Sequence, residues 1–195
     1  MASVSARKVT EAELLAMPDD GVERWIIRGE LREKPPEVPG VTMTVRNRHH
    51  TRVMSYVVAT LVIWLRAQPQ PRGEVYSGEV GVLLPTSPGT SVGVDVVYVP
   101  ADVVAVQTPA TTLIDGVPTL AVEILSPNDT QEQIEEKIDT YIGAGVPLVW
   151  IVNPYRSTVA VHRPGHEPDT FNRNQRLPQY PEMPGFVPTV AELFE

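Results

Sequence analysis

Leu120-Ala121-Val122-Glu123-Ile124-Leu125-Ser126-Pro127 is an apolar run interrupted by one carboxylate and stopped by Ser-Pro. Such a run, bounded by turn residues, reads as a strand buried on both faces. A carboxylate inside it is costly to desolvate unless a cation or a hydrogen-bond network receives it. Beyond the run, Thr130 and Gln133 form a capping pair, and Ile134, Ile138, Tyr141 and Ile142 recur at helical spacing. They predict a helix from about 130 to 143. Pro147 to Val152 is again short and fully apolar. Strand, helix and strand in this order make a right-handed crossover when the two strands are parallel.

Upstream, Val92-Gly93-Val94-Asp95-Val96-Val97-Tyr98-Val99 repeats the anomaly, a lone acid in a β-branched run. Strands are predicted at 74–84, 94–99 and 119–125, the first two joined by a Pro/Ser/Gly loop at 85–93. The longest helical pattern is Arg46 to Gln68, with Val53, Val57, Leu61, Trp64 and Leu65 as its apolar stripe. Thr10 and Glu13 form a capping box for a short helix over 9–17, stapled by Val9 and Leu14 and ended near Pro18. Val22 to Lys34 reads as extended with a bend at Arg28-Gly29. A loop rich in Pro and Gly follows (Pro35, Pro36, Pro39, Gly40). Thr158 to His162 reads as an edge strand, and the tail from Pro164 as irregular, with a short helix at 188–194. This order predicts an α/β fold: a mixed sheet with strands 94–99 and 119–125 adjacent, flanked by helices 46–68 and 130–143.

The chain has 195 residues, 42% apolar and 21% charged, with a net charge of −8 and no cysteine. This is the composition of a globular protein, and the length suits one domain over 1–195. No apolar run approaches the ~20 residues a membrane span needs. Met1 to Thr10 lacks the apolar core of a signal peptide, so a cytoplasmic location is expected. Without cysteine, any metal must be held by oxygen or imidazole, which favours magnesium or manganese over structural zinc. The acidic balance counts against an extended nucleic-acid surface but leaves room for a local basic patch.

Side chains alternate across a strand, so Ala121, Glu123 and Leu125 share one face, and Asp95, Val97 and Val99 share one face. If the strands are neighbours, Asp95 and Glu123 converge on one divalent metal. Lys137 falls on the flank of the apolar stripe of its helix and leans towards the sheet, while Glu132, Glu135, Glu136 and Asp139 lie towards the polar side. An ammonium there can orient an attacking water or stabilise charge on a pentavalent phosphate. Each acid taken alone is equally compatible with a satisfied structural carboxylate, and Lys137 alone with a solvated helix lysine. Arg46, Arg48 and Arg52, at a helix start that itself attracts anions, are the candidate phosphate contacts; a solvated helix start is the alternative. Tyr141 and Trp150 read as core, and His49, His162 and His166 as surface.

Pro118 to Pro127, Glu136-Lys-Ile-Asp-Thr-Tyr141, Gly145-Val-Pro147 and Trp150-Ile-Val-Asn-Pro154 resemble the Uma2 family of the PD-(D/E)XK nuclease superfamily. The resemblance extends to Thr10–Pro18, to Arg28-Gly29-Glu30-Leu31, to His50 and to Val94-Asp95-Val96-Val97. It implies a restriction-endonuclease-like core within a single nuclease-like domain: helix and strands over 9–34, core about 46–163, tail 164–195. It implies an endonuclease that hydrolyses DNA with Mg2+ (or Mn2+), with a homodimer as one assembly open to it. Asp95 and Glu123 are then the metal carboxylates, and the catalytic lysine, usually two residues after the Glu where Leu125 stands, has moved to the helix as Lys137. Glu30 and His50 are implied as supporting residues. Three positions depart from the family's acids: Trp25, Arg28 and Leu148. Those departures keep a second reading open, a degenerate nuclease fold serving as a nucleic-acid or protein interaction module. A small-molecule hydrolase finds no Ser/His/Asp nucleophile motif.

Overall fold

The computed structural model describes residues 8–18, 20, 22–34, 47–127 and 129–195. Arg46 and the Pro/Gly-rich stretch after Lys34 lie outside them. The elements are α1 (Glu11–Leu15), β1 (Glu23–Ile27), β2 (Glu30–Lys34), α2 (Arg48–Arg66), β3 (Glu74–Leu84), β4 (Thr90–Val99) and α3 (Ala101–Val106). There follow β5 (Ile114–Asp115), β6 (Leu120–Ile124), α4 (Gln131–Gly143), β7 (Leu148–Asn153), β8 (Thr158–His162), β9 (Asp169–Asn172) and a 3-10 turn at Val190–Leu193.

Local chemistry accounts for the boundaries. Thr10 and Thr130 each accept the N–H three residues on, and Glu13 and Gln133 return the bond to the cap N–H, so both capping boxes form. Asn47 caps α2 by accepting the His49 N–H. Arg28 (φ 50°) and Gly29 (φ 77°) make the two-residue β1–β2 turn, whose twist requires positive φ at both positions.

Among the described residues, nine strands form one mixed sheet in the order β2-β1-β4-β6-β7-β8-β9, with β3 on the other edge of β4 and β5 on β3. β6 and β7 are parallel and joined through α4, the crossover expected from the sequence. β4 and β6 are antiparallel neighbours, paired Val96↔Val122, Val97↔Ala121 and Tyr98↔Leu120. One core, built around Val57, Leu61, Leu120, Val122 and Trp150, fills the α2 side. The second, around Val97, Ala121, Tyr141, Val146 and Val149, fills the α4 side. Among the described residues, no helix is long and apolar enough to cross a membrane.

Four features differ from the sequence expectation. β4 begins at Thr90, because Thr90 to Val94 pairs with Val80 to Leu84 of β3 and shortens the expected loop. α3 and β5 are too short to leave a periodic signal. β8 is covered by β9 and is not an edge. The tail supplies core: Leu177, Met183, Phe186 and Leu193 are buried, and the Phe186 ring sits between Trp64 (5.3 Å) and Trp150 (5.8 Å, stacked). Each such side chain contributes about 1.5–3 kcal/mol on burial, without needing regular secondary structure.

Candidate active site

One edge of β4 is shared by two strands. β1 meets it at Ser91, opposite Ile26, and β6 takes it over from Val96 onward. Between them the sheet forks, and Asp95 stands in the crotch. Continuing the β4–β6 register places Asp95 directly across from Glu123, and opposed residues on an antiparallel pair have Cβ atoms about 5 Å apart. Past the last paired residues, the Ile124 N–H donates to Asp95 Oδ2 (2.8 Å). The side chain thus satisfies a buried strand donor, which would otherwise be costly.

Asp95 and Glu123 are both buried, 5% and 7% exposed, which an ionised carboxylate tolerates only with partners. Asp95 Oδ2 also contacts His50 Nε2 at 3.1 Å, from the first turn of α2. His50 Nδ1 is buried with no hydrogen-bond partner among the described residues. With the Asp95 carboxylate as acceptor, His50 Nε2 is the nitrogen that carries the proton in this contact. Burial pushes the Asp95 carboxyl up, but the His50 contact, the Ile124 N–H and the Lys137 charge outweigh it and hold it below its ordinary value.

Glu123 is held from the opposite layer. Lys137 Nζ donates to Oε2 at 2.8 Å and the Tyr141 hydroxyl to Oε1 at 2.5 Å, both from α4. Burial pushes the Glu123 carboxyl above its usual range; Lys137 and Tyr141 work against this, and the Asp95 charge adds to it. Burial also opposes the Lys137 charge, yet Glu123, Glu23 and Asp95 overcome it and keep the ammonium protonated. Glu123 is thus easier to protonate than a solvated glutamate, while its partner Lys137 holds its proton more tightly than a free lysine. Burial, then the Glu123 charge, raises Tyr141 well above a normal phenol, so it stays a donor.

A cavity of about 30 Å³ opens beside Glu123 and Lys137, walled by Trp25, Leu125 and Ile134 and with Glu23 on its lining. Lys137 Nζ lies 5.8 Å from the Trp25 ring centroid. Two ion pairs, Lys34–Asp129 (2.5 Å) and Arg32–Glu136 (2.8 Å), tie β2 to the start of α4 and to its second turn.

The structure thus gathers Asp95, Glu123, Lys137 and His50. It does not bring Glu30 to them: its carboxylate meets Lys8 and Arg32 on the β1–β2 hairpin. Arg48 and Arg52 are exposed, with Arg52 lying over the Tyr56 ring at 5.6 Å. Of the positions where family acids usually stand, Trp25 walls the cavity, Arg28 forms the hairpin turn and Leu148 is core. Two neighbours of the site escaped the sequence reading. Tyr141 is core, as its place in the stripe says, but its hydroxyl reaches Glu123. Glu23 shares a strand face with Trp25, a relation visible only as an i, i+2 spacing.

The donor set fits a hard divalent ion. Asp95 Oδ1 accepts no hydrogen bond among the described residues, and each Glu123 oxygen keeps a lone pair beyond its one donor. Two carboxylates against one ammonium leave the cluster one negative charge in excess. Among the described residues, no group of three or more His, Asp or Glu forms a full metal cage. That pattern suits magnesium, which is commonly bound by one or two carboxylates plus water and substrate phosphate.

The family model of Uma2, described as "Putative restriction endonuclease", matches residues 12–191. No match is found among curated proteins. Among solved structures, a putative nuclease belonging to DUF820 from Anabaena variabilis ATCC 29413 superposes with a TM-score of 0.74. It is 20% identical, and the alignment covers 95% of this chain and 97% of that one, a likeness of fold.

Proposed function

The chain belongs to the Uma2 family, and on that premise we propose that it is a divalent-metal-dependent endonuclease hydrolysing DNA phosphodiester bonds. The observation that carries the reading is the pair of buried carboxylates in the fork, Asp95 and Glu123, with Lys137 on one of them. A Mg2+ or Mn2+ ion held by these two carboxylates would supply Lewis-acid stabilisation of the phosphoryl oxygens and a more acidic water.

The chain's own groups do the rest. His50 and the Ile124 N–H fix the Asp95 carboxylate with Oδ1 open, and Tyr141 fixes Glu123. Lys137, 19% exposed beside the cavity, presents an ammonium to a phosphate entering from solvent and stabilises its developing charge. Trp25 and Leu125 exclude water from the flank of that contact, which strengthens it. The degenerate reading draws on Trp25, which stands where the family usually has an acid.

One assay separates the two. Labelled single-stranded and duplex DNA, incubated with Mn2+ or with EDTA, is cleaved only with the metal by the wild type. Asp95→Asn lowers the rate at least ~10²-fold, on the scale of losing one transition-state stabiliser. Metal-dependent cleavage that survives intact in Asp95→Asn removes the fork from the mechanism.

A further inference from the structure

Exposed bases cluster on one side of the fork, whereas the other side mixes acids with Lys8 and Arg28. On the α4 side, Glu132, Glu135 and Asp139 are exposed. On the other side, Arg48, His49 and Arg52 project from the start of α2, Tyr155 and Arg156 from the β7–β8 turn, and Arg173 from just beyond β9. All six are exposed, in a chain whose acids outnumber its lysines and arginines 24 to 16. A concavity of about 160 Å³ lies among them, lined by His49, Arg52, Pro154, Ser157, Arg173 and Glu195.

Two of the concavity's lining residues follow or precede residues of the site or of its neighbouring strand along the chain. His49 precedes His50, the partner of Asp95, and β7 runs beside β6 with Val152 opposite Ile124, so Pro154 lies just past the end of the strand pair that carries Glu123. The turn is braced: Asn153 Oδ1 accepts the N–H groups of both Tyr155 and Arg156 at 3.0 Å. It holds the Tyr155 ring out, 55% exposed, with the His49 ring 6.3 Å away and tilted by 53°. Arg173 already grips an anion there, the Glu195 carboxylate, which a phosphate can replace. Guanidinium groups beside an exposed ring on a rigid turn are the means by which proteins hold a nucleic-acid strand, phosphates on the arginines and an unpaired base on the aromatic face.

We propose that this rim seats the single nucleic-acid strand flanking the cleaved bond, with Arg52 and Arg173 on its phosphates and Tyr155 under an unpaired base. The proposal rests on the hydrolase reading for the strand's destination, but the binding itself needs no metal. The test is fluorescence anisotropy of a labelled single-stranded oligodeoxynucleotide and of its duplex, in EDTA. Tyr155→Ala is expected to weaken single-strand binding roughly ten-fold, within the range of one lost base stack, and Tyr155→Phe to leave it unchanged. Arg52→Ala weakens it and lowers the slope of log affinity against log salt by about 0.7, and Arg173→Ala weakens it. Glu132→Gln and Glu135→Gln, on the α4 side, do not weaken it. Absence of single-strand binding by the wild type overturns the proposal, as does binding indifferent to Tyr155→Ala and Arg52→Ala. Metal-dependent cleavage persisting alongside either result leaves the hydrolytic reading standing, whereas loss of cleavage in Asp95→Asn with rim binding intact concerns the fork alone.

Discussion

The two acids of the fork stand opposite each other in the extended β4–β6 register, yet they are held in opposite ways. Asp95 is satisfied by the His50 imidazole and a main-chain N–H, and its carboxyl lies below the ordinary value. Glu123 is satisfied by an ammonium and a phenol, and its carboxyl lies above it. The first is a standing anion with one oxygen free. The second is paired with a cation that is part of the protein, so on the proposed reading a metal would share Glu123 with Lys137. On the proposed reading, the α2 layer would supply a metal ligand, and the α4 layer a ligand together with a cation, Lys137, for the substrate phosphate.

The largest effect on this contrast comes from Lys137→Met, which keeps the apolar stem and removes the charge. Breaking a buried ion pair costs about 3–5 kcal/mol when the partner stays ionised. Glu123 can escape by taking a proton, so the loss depends on pH. With the folded carboxyl raised above its unfolded value, the folded state binds the extra proton, and stability falls as pH rises through that interval. Urea denaturation is therefore expected to show a small deficit near pH 5 and the full one near pH 8, partly restored by Mn2+. An equal deficit at both pH values would mean that Glu123 is not the group left exposed to burial.

On the Asp95 side, His50→Ala is expected to cost less, about 2 kcal/mol for a hydrogen bond to a charged group. Its sign with pH is reversed. Asp95 is depressed, so the stability it contributes is present above its unfolded value near 3.8 and is lost as pH falls through the lower folded value. The mutant deficit measured by denaturation should be full at pH 7 and shrink in strong acid. A deficit that grows as pH falls would contradict the assignment of His50 as the group that keeps Asp95 ionised.

Both halves of this site left different traces in the sequence. Glu123 and Asp95 are legible because an acid in a β-branched run violates the pattern around it, and Lys137 because a helical wheel puts it beside the stripe facing the sheet. β6, α4 and β7 are legible for the same reason: capping boxes and unbroken apolar runs are local signals. What was not legible depends on pairing. The fork exists only because β1 and β6 divide one edge of β4, and neither strand's sequence records that. Tyr141 reads as core, since burial and a hydrogen bond at the ring's tip leave the same apolar spacing. Leu177, Met183, Phe186 and Leu193 lie among prolines without a period, so nothing announced that the tail closes the α2-side core. The family resemblance also implied Glu30, and the hairpin register instead turns it to Lys8 and Arg32.

The central claim is that Asp95 and Glu123 together hold one divalent cation. Isothermal titration of the purified protein with Mn2+, repeated on Asp95→Asn and Glu123→Gln, tests it without reference to any substrate. The account predicts one site in the wild type, lost in Asp95→Asn and weakened or lost in Glu123→Gln, with both variants folded by circular dichroism. Undiminished Mn2+ binding in Asp95→Asn, or none in the wild type, would contradict it.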